Sequence, residues 1–226
     1  MLWLERLRGD RLTGVLALLC VVMMVLLAGK PAFSNASRPP RGITDPVLAL
    51  QMARNVEEVD AILSEAPSPD REAMRIKQRL DFGFIACYVA LYLALSARLA
   101  RSFQWGRVPA IAAGLCGVAA GVFDMMENLA ILNILDVKLS QTTQAMVSAI
   151  HRPSLAKWTL AFAAIGLLSS YFLAQPRWTM RMVGALFVAT AAVGFYGLHD
   201  NQFLMWAGYL MLAGLGAVAA ALFRVK

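Results

Sequence analysis

Charge is in short supply in this chain of 226 residues. Charged residues make up 15% and apolar residues 59%, whereas soluble domains carry about a quarter charged and about half apolar. A water-soluble globular domain does not fit that balance, and neither does a disordered chain. Histidine occurs only twice, so His151 and His199 cannot furnish a three-histidine zinc site. Cysteine occurs three times, and Cys20, Cys87 and Cys116 all lie in apolar runs. An odd number in that setting argues against a disulfide framework or a zinc site and reads as small apolar packing groups. Acids are fewer than bases, 14 against 21, for a net charge of +7. The bases flank apolar runs rather than cluster on a water-facing domain, so membrane topology explains them better than nucleic-acid binding. There is no HExxH, no GxSxG and no glycine-rich phosphate loop. No internal repeat recurs at a fixed period. No catalytic residue, metal ligand or cofactor is assigned on this basis.

The chain does have long apolar runs. A spanning helix needs about 20 mostly apolar residues, and six stretches qualify: 12–29, 81–99, 108–135, 155–174, 178–198 and 203–223. None alternates with the period of two that a lipid-facing barrel requires. In hydrocarbon the backbone must satisfy its own hydrogen bonds, so these runs are helices. The predicted fold is all-α, a polytopic transmembrane helical bundle of six spans with a helical outer loop. Residues 1–29 form an N-terminal anchor, 30–80 the outer loop and 81–226 a five-helix bundle. The first run has a rival reading. Arg6, Arg8 and Arg11 precede it and Ser34-Asn35-Ala36 follows it, which is also the layout of a cleaved signal peptide. Lys30 and Pro31 separate the run from that cut, which favours an uncleaved helix; cleavage would leave five spans.

The placement of Lys and Arg orients the bundle. Arg98, Arg101, Arg107, Arg177, Arg181, Arg224 and Lys226 fall on the side of the N-terminal arginines. The short connections opposite hold only Lys138, Arg152 and Lys157, and the turn His199-Asp200-Asn201 has none. Both termini are expected to be cytoplasmic, in a bacterial inner membrane. In the outer loop, 35–41 reads as a linker. Asp45 before Pro46 is a helix start, Asn55 with Glu58 makes a capping-box-like second one, and Ser68-Pro69 opens a helix running unbroken into the second span. Leu48, Met52, Val56, Val59 and Leu63 form one apolar stripe. Residues 141–150 suggest a short helix, with Pro153 opening the fourth span.

Ionisable groups near the bilayer centre cost about 2.5 kcal/mol or more, so those inside spans mark the interior. Asp124, Glu127 and Asn128 share one face of the third span. Measured from Leu135 at about 1.5 Å per residue, Glu127 lies about 12 Å down and Asp124 about 16 Å; an end nearer Asn133 raises both by about a turn. Asp81 opens the second span, with Tyr88 deeper on the same face. Lys157, just inside the fourth span, reaches toward Glu127. His199, Asp200 and Asn201 lie at the same end. Asp81, Tyr88, Asp124, Glu127, Asn128 and Lys157 are the candidate site. Two readings stay open: a polar cluster that holds helices together in a structural or accessory membrane protein, and a site for binding or transport of a cation, proton or polar lipid head group. A lipid-modifying enzyme is a third. The ridges Ala113-Gly117-Gly121 and Ala213-Ala217-Ala221 allow close helix approach, within the chain or toward a homodimer or membrane-protein partner in the bilayer. Trp178 and Trp206 suit interfacial anchoring, with a buried Trp206 as the alternative.

Several of these residues carry a resemblance. The stretch from Leu48-Ala49-Leu50 through Ile62-Leu63, then Asp81-Phe82-Gly83-Phe84-Ile85 with Tyr88, Asp124-x-x-Glu127-Asn128, and Lys157-Trp158 resembles an uncharacterised group of bacterial multi-pass membrane proteins. It covers roughly residues 45–175 and implies a membrane fold; it brings no activity.

Overall fold

The computed structural model describes residues 2–29 and 40–223, with side chains from Arg11 and from Arg41 onward in the two segments. The cleavage-like Ser34-Asn35-Ala36, the neighbouring Lys30 and Pro31, most of the 35–41 linker, the side chains of Arg6 and Arg8, and the terminal Arg224 and Lys226 lie outside the described residues. Among the described residues the secondary structure is all helical. Its α-helices are α1 (Leu2–Leu27), α2 (Pro46–Met52), α3 (Val56–Ile62), α4 (Pro69–Ser102), α5 (Arg107–Ile134), α6 (Gln144–Leu173), α7 (Trp178–His199) and α8 (Gln202–Phe223). The helices α4 to α8 are long and apolar enough to cross a bilayer, and α1 adds a shorter apolar stretch, Arg11–Leu27. This fits a multi-pass membrane protein.

The start signals hold locally. Asp45 accepts from Leu48 N at 2.8 Å and Asn55 accepts from Glu58 N at 2.8 Å. Glu58 reaches back one residue further than a capping box requires and accepts from Arg54 N. Ser68 caps α4, which then runs for 34 residues. One expectation fails. No separate short helix precedes Pro153; α6 begins at Gln144 and continues through the proline. The ring of Pro153 removes the backbone donor that would meet the Ala149 carbonyl, and the helix continues past it. Spanning helices tolerate a proline where local adjustment and neighbouring helices accommodate it.

Each long helix packs on its neighbour in sequence from α4 to α8, and α1 closes the ring by packing on both α4 and α8. Its direction is antiparallel to each: Met23 touches Gly83, and Gly14 lies against Leu222 and Phe223. The small-residue ridge of α5 is used inside this ring. A Cβ on Gly117 would stand 2.6 Å from Tyr92 Cβ, and one on Gly121 2.5 Å from Val89 Cγ2. Only hydrogen at those positions lets α4 and α5 approach so closely.

The two faces of α5 show what surrounds the ring. Val108, Ile111, Leu115, Val118, Val122, Met125 and Leu129 are exposed at alternating spacings of three and four, while Ala110, Ala113, Gly117, Ala120, Asp124, Glu127 and Asn128 are buried. A water-soluble helix would reverse this pattern. Large apolar side chains outward and polar ones inward suit hydrocarbon. Trp178 is 72% exposed and Trp206 62%, so Trp206 is not buried.

The helices α2 and α3 cover one end of the ring, called the capped end below. The apolar stripe is buried there at Met52, Val59 and Leu63, with Leu48 and Val56 partly buried. Before α2 the backbone passes the start of α8. Gly42, at φ +71°, would place a Cβ 2.6 Å from Gln202 Nε2, so both the left-handed conformation and the close approach favour glycine there. At the same end Arg71 clips α5. Its Nη1 donates to the carbonyls of Ile134, Leu135 and Val137 at 2.9–3.1 Å, and its Nε to Ser64 O at 2.6 Å. Ile134 O already accepts from Val137 N, so the guanidinium adds a second donor there and ties down carbonyls of the segments that follow α3 and α5.

Candidate functional site

All six candidate residues meet inside the ring near the capped end. From the Ile134 end of α5, Glu127 lies about 10 Å down the helix and Asp124 about 15 Å. Lys157, one helix over, donates from Nζ to Asp124 Oδ1 at 2.7 Å and to Glu127 Oε1 at 2.7 Å. The ammonium sits between two carboxylates one turn apart, the place a cation would otherwise take. It also lies 5.4 Å from the Trp158 ring centroid, within cation–π range. Asp124 is shared with α4, since Tyr88 OH donates to its Oδ2 at 2.9 Å. Asp81 of α4 accepts from Asn128 Nδ2 at 2.7 Å. Charge-assisted bonds this short are the strong kind. They tie α4, α5 and α6 together at one level.

Four further residues belong to this cluster and were not singled out for it from the sequence. Gln51 of α2 donates from Nε2 to Glu127 Oε1 at 2.7 Å and accepts from Trp158 Nε1 at 3.4 Å. Ser154 Oγ donates to Glu127 Oε2 at 2.5 Å. Lys77 and Gln78 lie one turn before Asp81 and are buried. The signals were present in part. Gln51 is a polar residue within the apolar stripe, Ser154 shares the face of Lys157 at a spacing of three, and Lys77 and Gln78 precede Asp81 by four and three. His151 also holds α2, its Nδ1 donating to the Gln51 carbonyl at 3.3 Å. By contrast, the turn after α7 closes on itself: Asn201 Nδ2 donates to Gly197 O and Asp200 Oδ1 accepts from Gln202 N. It takes no part in the cluster.

The cluster divides in two. Glu127 is 0% exposed and is surrounded by Lys157, Gln51 and Ser154. Asp81, Tyr88, Asp124 and Lys157 instead line a cavity of about 400 Å³, together with Asp45, Gln51, Lys77 and Gln78. That volume is in the range of small-molecule sites. Away from the capped end the remaining lining is apolar or aromatic, including Leu91, Tyr92, Leu95, Ile165, Phe187, Leu212 and Leu215, with only Thr190 and the tyrosines adding polar atoms. From Lys77 to Leu95 the cavity follows about 27 Å of α4 at the usual helical rise. It is therefore long, polar at one end and apolar along the rest. Among the described residues no three His, Cys, Asp or Glu side chains are grouped to hold a metal ion. No family model, curated protein or solved structure matches the chain, and the side chains themselves are the basis for assigning it a role.

Proposed function

We propose that this membrane protein binds an amphiphilic molecule, a lipid or lipid-like compound, inside its helical ring, with the head group at the Asp81–Tyr88–Asp124–Lys157 level and the chain along the apolar wall. The observation that carries this reading is the lengthwise division of the cavity, whose polar groups are confined to the capped end. A bundle stabilised only by a polar cluster would have no use for an apolar channel beside it. Passage of an ion or proton is less well supported, because the lining beyond Asp124 holds no carboxylate, lysine or histidine. The structural reading keeps one part of the cluster: Glu127, with its oxygens satisfied by Lys157, Gln51 and Ser154, fixes the register of α2, α5 and α6. The asymmetry of Lys and Arg supports cytoplasmic termini and an outward-facing capped end, and a bacterial inner membrane is the proposed location.

The test is retention of lipid. Protein extracted in mild detergent and examined by native mass spectrometry should keep about one equivalent of an amphiphile. Ala161→Phe fills the cavity at a lining position and should abolish retention while thermal stability is kept. Absence of any retained lipid from the wild type, or equal retention by the folded variant, would refute the proposal.

A further inference from the structure

Unmet hydrogen-bonding atoms in the cavity restrict the head group. Gln78 is 2% exposed and lines the cavity, and its Oε1 is buried without a partner. Asp81, one turn on and half-buried, also lines it and accepts through Oδ2 from Asn128; its Oδ1 accepts no hydrogen bond from the described residues. Asn128, fully buried behind Asp81, has its own Oδ1 unpartnered. All three are acceptors, and the two that are buried, Gln78 Oε1 and Asn128 Oδ1, cost stability while unmet. The site therefore calls for donors.

Charge points the same way. The carboxylates of Asp45, Asp81, Asp124 and Glu127 outnumber the ammonium groups of Lys77 and Lys157. Lys157 is engaged by Asp124 and Glu127, and Lys77 lies in the field of Asp45. Among the described residues no cation is ion-paired with Asp81, and the ammonium of Lys157, whose field reaches it, is bonded by Asp124 and Glu127. Phe84, Tyr88 and Trp158 supply aromatic faces to the same stretch of the lining, which favour a cation further.

We infer that the ligand is a cationic amphiphile bearing a protonated primary amine, whose N–H groups donate to Asp81 and Gln78 Oε1 while its alkyl chain lies along Leu91, Leu95, Ile165 and Leu215. This inference rests on the amphiphile-binding reading above and specifies its head group. A primary ammonium has three donors and one charge, matching two unmet acceptors and one unpaired carboxylate. An anionic head would face the acidic surplus, and a hydroxyl would leave Asp81 uncompensated.

The test uses the full chain in lipid nanodiscs with four probes of equal chain length: dodecylamine, dodecyltrimethylammonium, dodecanol and dodecanoate. Binding is read as the difference from Ala161→Phe, which removes partitioning into the bilayer. Dodecylamine should bind at least tenfold more tightly than the other three, and Asp81→Asn should remove that preference without changing dodecanol binding. If Asp81→Asn does not fold, Gln78→Met, which keeps the size and lacks the acceptor, should still lower dodecylamine affinity severalfold. Equal binding of dodecyltrimethylammonium, which has no N–H, overturns the inference, as does an amine preference that survives both substitutions. In those cases dodecanol binding above the Ala161→Phe level leaves the amphiphile reading standing. Failure of every probe to exceed that level removes both.

Discussion

Lys157→Met tests the centre of the architecture. The substitution keeps the length of the side chain and removes an ammonium bonded at 2.7 Å to both Asp124 and Glu127. The two carboxylates then stand one helical turn apart with no cation between them. Breaking a buried ion pair from one side costs about 3–5 kcal/mol, because a charge is left uncompensated. For a chain of this size that is a fall in Tm of about 6–20 °C. Adding Asp124→Asn and Glu127→Gln to the same protein removes all three charges and should recover part of the loss, since no uncompensated charge is then left buried. The assay is thermal unfolding in nanodiscs followed by circular dichroism. A Tm within about 2 °C of wild type for Lys157→Met, less than 1 kcal/mol on the same scale, would refute the reasoning. So would a triple variant no more stable than the single one.

Two further outcomes follow from the packing and from the loop. Gly117→Ala forces a Cβ to within 2.6 Å of Tyr92 Cβ, and overpacking of that kind costs about 1–3 kcal/mol; Gly216→Ala, with nothing within 4 Å of its added Cβ, should leave Tm unchanged, and equal effects of the two would contradict the close α4–α5 contact. In the loop, burial raises the Glu58 pKa, but hydrogen bonds from Arg41 and the Arg54 amide and the charges of both arginines outweigh it and hold the carboxyl below its usual 4.5. A carboxyl whose pKa is depressed by folding adds stability that is present above its unfolded pKa and is lost as pH falls through the folded one. The protection factors of α3, taken relative to the intrinsic exchange rate at each pH, should therefore fall on acidification below about pH 4.5 in the wild type and vary less with pH in Glu58→Gln; an identical pH profile of protection in the two proteins would exclude that role.

Much of the arrangement could be read in the residues before the fold. The apolar runs marked the long helices, because a bilayer leaves the backbone no other way to satisfy itself. Asp45, Asn55 and Ser68 marked helix starts because a short oxygen-bearing side chain there meets an amide two or three residues on. Asp124, Glu127, Asn128 and Lys157 stood out through the cost of placing them in hydrocarbon, which holds whatever the tertiary structure is. Pro153 misled for a local reason: proline normally opens or ends a helix, and nothing in its neighbours announced that α6 would carry it. Gln51, Lys77 and Gln78 were missed because an amide or lysine in the outer loop or just before a span is unremarkable until a neighbour buries it.

The residues alone determined that the chain belongs in a bilayer, that it forms long helices, and that a few carboxylates must turn away from lipid; transfer free energy and helical periodicity decide these one segment at a time. Only the tertiary structure decided that α1 closes a ring between α4 and α8, that α2 lies across its end through Gln51, and that a long cavity remains inside. Those depend on which small residues let helices touch and on where opposing side chains leave space, properties of pairs of helices that no single segment contains.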